Sequence, residues 1–241
     1  PVDDHLDGVQ PDVAVIVDGQ PQYGVGELIG EFQIYIPSVS VSSIGEGGGS
    51  IAWVDVGGLL KVGPESAGSR PGPACYGRGG ERATITDAFA ALGLVGLSEI
   101  GYSAVTIDRD KARSVVGELA TKLGRTIEET AEAIIRIAVS GMYTDVSALV
   151  SRFGIDPRDF SCLAFGGAGP MMACFLAREL NMRETVVPPT PGVLSALGGL
   201  IADIKNDFIK TLYTDLASDM GPTIRDEFAG LETRAQAWLH E

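Results

Sequence analysis

Apolar positions along this chain change period several times, and each change marks an element. Residues 13–17 and 22–25 flank Asp18-Gly19, a turn pair between apolar or alternating runs, which predicts a β-hairpin. Phe32, Ile34 and Ile36 alternate with their neighbours as a third strand, and residues 37–43 alternate small polar with β-branched side chains as further strand. A glycine-rich turn, residues 44–50, leads into an apolar strand over 51–56. Residues 57–80 are crowded with glycine and proline and predict a long irregular segment.

Helical spacing takes over from there. Residues 84–94 become helical through Ala88, Phe89, Ala91 and Leu92, with Asp87 near the start as a cap. Asp108 caps a helix whose stripe is Ala112, Val115, Val116, Leu119 and Leu123, and Gly124 stops it. Thr126 and Glu129 have capping-box spacing and open a helix running to Phe153, about 40 Å at 1.5 Å per residue. Residues 161–165 read as a buried strand, 170–180 as an amphipathic helix and 185–187 as a short strand. Pro188 to Gly192 make a rigid turn, 193–201 a buried helix and 206–213 a strand, and Pro222 starts a last amphipathic helix. Alternating strands and helices place the chain in the α/β class.

At 241 residues the chain can bury a real core, and its 45% hydrophobic content fits an α/β protein. A net charge of −14 removes the basic footprint of a nucleic-acid binder and disfavours an anionic membrane surface. Apolar runs fall short of the roughly 20 residues that cross a bilayer. Three cysteines, Cys75, Cys162 and Cys174, form no metal spacing and no even disulfide set, so reduced thiols and a cytoplasmic setting are expected. The chain opens on Pro1, and its start is not taken as a domain boundary.

Two glycine-rich turns carry the candidate chemistry. Gly47, Gly48, Gly49 and Ser50 offer consecutive amides and a hydroxyl, and Gly166, Gly167, Ala168 and Gly169 lie where a strand meets a helix. Glycine lets a phosphate approach the backbone, but a tight connection also needs glycine for steric reasons alone, and both readings stand. Arg70 and Arg78 could hold an anion or be solvated charges. Cys75 has no histidine nearby to activate it, since the chain's two are His5 and His240.

Taken together and in order, several runs resemble the hydantoinase A and 5-oxoprolinase family, which includes acetone and acetophenone carboxylase subunits. They are residues 47–55 (GGGSIAWVD), 62–68 and 72–77, Thr86-Asp87-Ala88, 165–170 (FGGAGP) and 191–198 (PGVLSALG). The resemblance implies an actin-like ATPase fold, ribonuclease H-like and partial here, with a mixed sheet flanked by helices. Residues 1–213 would be the C-terminal part of that domain, and 214–241 a helix continuing beyond it. It implies an ATP-dependent hydrolase of cyclic amides, of the hydantoin or 5-oxoproline type, acting by phosphoryl activation of a carbonyl. The cofactors would be ATP and a divalent metal such as Mg, and the partners a small-molecule substrate and a hydantoinase B-type subunit.

By the same carry-over, Gly47 to Ser50 would be the second phosphate turn and Gly166 to Gly169 the adenosine-side turn. Asp55 is the candidate to position water, or else it caps a turn. The family's first phosphate loop, of Asp-Gly-Gly-Thr type, is absent. Where the family commonly reads Asp-x-His the chain has Ser40-Val41-Ser42, which leaves Asp87 as a lone carboxylate and no metal site. The alternative is a non-catalytic structural or assembly module that keeps the fold.

Overall fold

The structure is a computed structural model that describes residues 12–24, 27–29, 32–34, 38–96, 106–204, 206–214 and 219–240. Its contacts divide into two compact units, Pro1–Ser195 and Ala196–Glu241, whereas the sequence reading set the break after residue 213.

The first unit begins with short antiparallel strands. These are β1 (Asp12–Ala14), β2 (Ile16–Val17), β3 (Gln20–Pro21), β4 (Tyr23–Gly24), β5 (Glu27–Ile29), β6 (Phe32–Ile34), β7 (Ser38–Val39) and β8 (Val41–Ser43). Asp18 and Gly19 turn between β2 and β3 with φ of 51° and 75°, the left-handed pair a two-residue hairpin turn demands. The expected hairpin is therefore present but short. Asp12 to Ala14 pair with β8, and Tyr23 and Gly24 pair with β7, so strands distant in sequence compete successfully with the local partner. Phe32 to Ile34 of the third strand pair antiparallel with β5, and the expected positions Val25 and Tyr35 to Pro37 lie outside the described residues.

β9 (Ser50–Val54) and β10 (Leu60–Ser66) form the next hairpin. β10 corrects the expectation of an irregular segment over 57–80. Its glycine and proline, Gly63 and Pro64, fall where the register slips between Val62 and Ser66, so they interrupt the ladder without abolishing it.

Three helices build the core: α1 (Ile85–Leu92), α2 (Arg109–Leu123) and α3 (Ile127–Arg152). Their starts are set by local chemistry. Thr84 and Asp87 form a capping box on α1, Asp108 accepts from the Lys111 amide on α2, and Thr126 with Glu129 form a second box on α3. Asp87 thus caps α1 as expected, from the third helical position, with Thr84 as the N-cap residue. Ile85, Ala88, Phe89, Val116, Ile134 and Ala138 interlock across the three. α3 is long and apolar enough, by length and composition, to cross a membrane, which the run-length expectation overlooked. Charged Arg136 and Asp145 interrupt it, and its buried face, Ile134, Ala138, Met142 and Leu149, is core.

β11 (Ser161–Leu163), α4 (Gly169–Glu179) and β12 (Glu184–Val186) make a β-α-β unit with the two strands parallel. α4 buries Met172 and Leu176 in the same core. The strand expected to be buried is half exposed instead, with Leu163 at 48%. Among the described residues the strands pair two by two, five pairs antiparallel and one parallel, so no single mixed sheet forms; a lone bridge from Ile51 to Thr84 ties β9 to the start of α1.

α5 (Leu194–Ile201) begins at the end of the first unit, and α6 (Gly221–Trp238) belongs to the second. α5 was expected to be buried but exposes Leu200 by 82%; none of the described residues beyond Leu180 is a buried hydrophobe. Residues 206–213 form no strand. Instead Phe208 packs edge-on to Trp238 at 6.2 Å with Arg234 over its ring, and Lys210 pairs with Glu227. Alternation there reflects side chains meeting a helix.

Candidate nucleotide site

The first glycine turn is closed by its own ends. The Gly47 amide donates to Ser50 Oγ at 2.9 Å, and the Ser50 amide donates back to the Gly47 carbonyl at 2.9 Å. The Gly48 carbonyl accepts from both the amide and the hydroxyl of Thr86, at 3.0 and 2.8 Å, and the Gly49 carbonyl accepts from Ala67. A β-carbon on Gly48 would lie 2.8 Å from Thr86 Oγ1, and one on Gly49 2.8 Å from Ser66 Oγ. A side chain at either position would force Thr86 or Ser66 to shift. Of the four amides expected to form a cradle, two are consumed internally; those of Gly48 and Gly49 meet no acceptor among the described residues.

The second turn behaves differently. Gly166 has a φ of 80° that favours glycine, and its amide donates to the Pro191 carbonyl at 2.8 Å. Gly167 and Gly169 have ordinary φ, and a β-carbon on either would meet nothing within 4 Å. Neither the backbone nor the chain's own packing requires glycine there. The two turns touch: a β-carbon on Gly48 would sit 3.4 Å from Ala168 Cβ and 3.9 Å from Met171 Cε. A separation of more than a hundred residues in sequence is closed because Thr86 holds the first turn on α1, while α4 packs its Met172 into the same core.

Asp87 is fully buried and its carboxylate is saturated. Oδ1 accepts from the Cys75 amide at 2.7 Å, and Oδ2 from Ala74 N at 3.2 Å, Thr84 N at 2.9 Å and Thr84 Oγ1 at 2.8 Å. It fastens residues 74–75 to α1, and burial of the whole side chain keeps it from solvent, where an ion would enter. Cys75 is buried, and burial, reinforced by the neighbouring Asp87 carboxylate, pushes its thiol far above the ordinary range. Asp55 Oδ1 accepts from the amides of Gly57 and Leu59, both at 2.9 Å, inside the β9–β10 turn, with Lys61 3.9 Å from Oδ2. Ser40 is buried, and Ser42 Oγ accepts from Arg152 at 3.1 Å. Arg70 and Arg78 line a cavity of about 450 Å³.

Glu46, immediately before the first turn, went unnoticed in the sequence. A β-carbon on Gly141 of α3 would fall within 2.5 Å of its carboxyl carbon, so Gly141 makes room for it. Its Oε2 is buried with no hydrogen-bond partner, and burial, with the nearby Asp145 charge, raises its pKa. The only sequence signal was an acid abutting three glycines.

The chain matches the model of the hydantoinase/oxoprolinase family over residues 8–208. It is 40% identical over 185 residues to an uncharacterised protein of Methanocaldococcus jannaschii, covering 77% of this chain and 27% of that one. It is 33% identical over 233 residues to the caprolactamase subunit alpha of Pseudomonas jessenii, covering 96% of this chain and 32% of the relative. The crystal structure of the ATP-dependent caprolactamase from Pseudomonas jessenii superposes with a TM-score of 0.73 at 32% identity, over 89% of this chain and 32% of that one. The chain thus spans about a third or less of the length of these relatives. Matching family motifs along most of its length and a shared fold lead to one assignment: the chain belongs to the hydantoinase/oxoprolinase family.

Proposed function

We propose that this chain forms one wall of the ATP site of an amide-opening enzyme with an actin-like ATPase fold, and that it is the C-terminal part of such a subunit. The single observation that carries this is the pair of touching glycine turns, in which Gly167 and Gly169 lack a side chain that nothing in the chain itself forbids. Close approach of a ligand accounts for that. The unengaged amides of Gly48 and Gly49 would donate to phosphate oxygens, and at the start of α4, where Pro170 has no N–H and Met171 donates to the Ala168 carbonyl, the Gly169 amide and the helix dipole favour an anion. ATP fits these residues.

A divalent ion does not fit Asp87, which is fully buried and holds four hydrogen bonds, and the described residues hold no group of three or more His, Cys, Asp and Glu that could ligate one. Glu46 Oε2, buried beside the turn without a hydrogen-bond partner, is a single carboxylate and does not make a metal site, so the described residues do not fit a bound divalent ion. The chain's own residues would position the nucleotide and exclude water as a carbonyl is activated. The caprolactamase relative is named as a subunit, which supports a partner subunit for this chain, of hydantoinase B type in our reading.

Calorimetry with ATP and Mg on the complete polypeptide, upstream segment included, tests the proposal. Gly167→Leu, which fills the space beside the turn, should abolish binding with an unchanged melting temperature. An unaltered ATP affinity in that variant, or no binding by the complete polypeptide, overturns it. The second reading, a module that keeps the fold without the chemistry, is favoured by one observation: Ser42 at the expected ligand pair accepts a hydrogen bond from Arg152. It predicts no ATP binding at any length of chain.

A further inference from the structure

A cavity of about 710 Å³ opens between the end of α1, the N-terminal half of α3 and the last turns of α4. It is not part of the glycine-turn site: Arg178, on its wall, lies roughly 13 Å along α4 from Gly169 at 1.5 Å per residue. The floor is apolar, with Ile135 and Phe175, and Phe175 is braced edge-on by Phe89 at 5.9 Å. The walls carry both signs of charge: Glu132 and Arg136, one turn apart on α3, and Arg178 and Glu179 on α4. None of these four forms an ion pair among the described residues. Arg178 rests over the Phe175 ring at 6.0 Å, which holds its guanidinium at the edge of the apolar floor.

We infer that this cavity binds a small zwitterion, with a carboxylate and an ammonium at the two ends of a short aliphatic body. The argument is charge complementarity. Arginine offers a forked donor to a carboxylate, an unpaired glutamate accepts from an ammonium, and the apolar floor takes the methylenes between them. This rests on the amide-opening reading above, because hydrolysis of a cyclic amide makes that kind of molecule. Water adds to the carbonyl carbon, the acyl C–N bond breaks, the oxygen stays as carboxylate, and the nitrogen leaves protonated on the same carbon chain.

Calorimetry with 6-aminohexanoate on this chain tests it, with hexanoate and hexylamine as controls that each lack one charge. The zwitterion should bind about tenfold more tightly than either control, and Glu132→Gln and Arg178→Gln should each lower its affinity about tenfold. Both substitutions are at exposed positions, so folding is not at stake. No binding of the zwitterion, or equal binding of hexanoate, overturns the inference. ATP affinity of the complete polypeptide reads the nucleotide proposal separately: zwitterion binding without ATP binding sinks that proposal and leaves this one standing.

Discussion

Removing the Asp87 side chain is the perturbation whose cost the structure specifies best. The carboxylate is completely buried and receives four hydrogen bonds, from the amides of Ala74, Cys75 and Thr84 and from the Thr84 hydroxyl. Asp87→Ala strands the amides of Ala74 and Cys75 away from water. A buried donor left unpaired costs about 1–3 kcal/mol, and loss of a capping interaction about 1 kcal/mol. The expected loss is about 4 kcal/mol, a large share of the roughly 5–15 kcal/mol that holds a domain together. Urea unfolding followed by circular dichroism measures it, and Cys75 supplies a local readout. Its thiol is fully buried in the native chain and should resist alkylation, whereas in the variant it should react as residues 74–76 detach from α1. Asp87→Asn keeps the shape and one acceptor oxygen, and should cost about half as much. A loss below about 1 kcal/mol for Asp87→Ala would refute the view that this carboxylate is a structural clamp, and would return it to consideration as a ligand.

Two further expectations concern the same region. Glu46 has its pKa raised above the ordinary 4.5 by burial and Asp145, so its neutral form is the one folding favours. That contribution is intact below about pH 4.5 and is lost as pH rises through the folded-state value; Glu46→Gln should therefore be more stable than the native chain at neutral pH and equal to it in acid, as thermal melts across pH would show. Gly80 approaches backbone so closely that a β-carbon would fall within 3.0 Å of three backbone atoms of residues 72–74, with no side chain able to swing aside. Gly80→Ala should cost about 1–3 kcal/mol in urea unfolding; a neutral result would mean that the loop over 72–80 is not held as described.

Much of the helical part could be read directly. Asp87, Asp108 and Thr126 take part in capping the helices they were assigned to, and Gly124 closes one of them, because each of these interactions joins residues within one turn. The strands were read less well. Residues 13–17 look like one arm of a local hairpin, yet Val13 and Ala14 pair with Ser42 and Val41, and periodicity says nothing about which distant edge is nearer. The stretch over 206–213 alternates like a strand, but Phe208 finds Trp238 of α6 instead of a neighbouring strand.

The candidate site divides along the same line. Order and composition of the motifs were enough to point to the family, since a run such as GGGSIAWVD is a property of sequence alone. What each residue does there depended on three-dimensional neighbours. Only the packed chain shows that Gly48 and Gly49 are glycine to clear Thr86 and Ser66, that Gly167 and Gly169 are not so constrained, and that Asp87 clamps a loop. Glu46 becomes visible because α3 crosses above it and takes away the partner of one oxygen. Local hydrogen bonding and period are written within a few residues, whereas steric demand and desolvation arise between segments that meet only after folding.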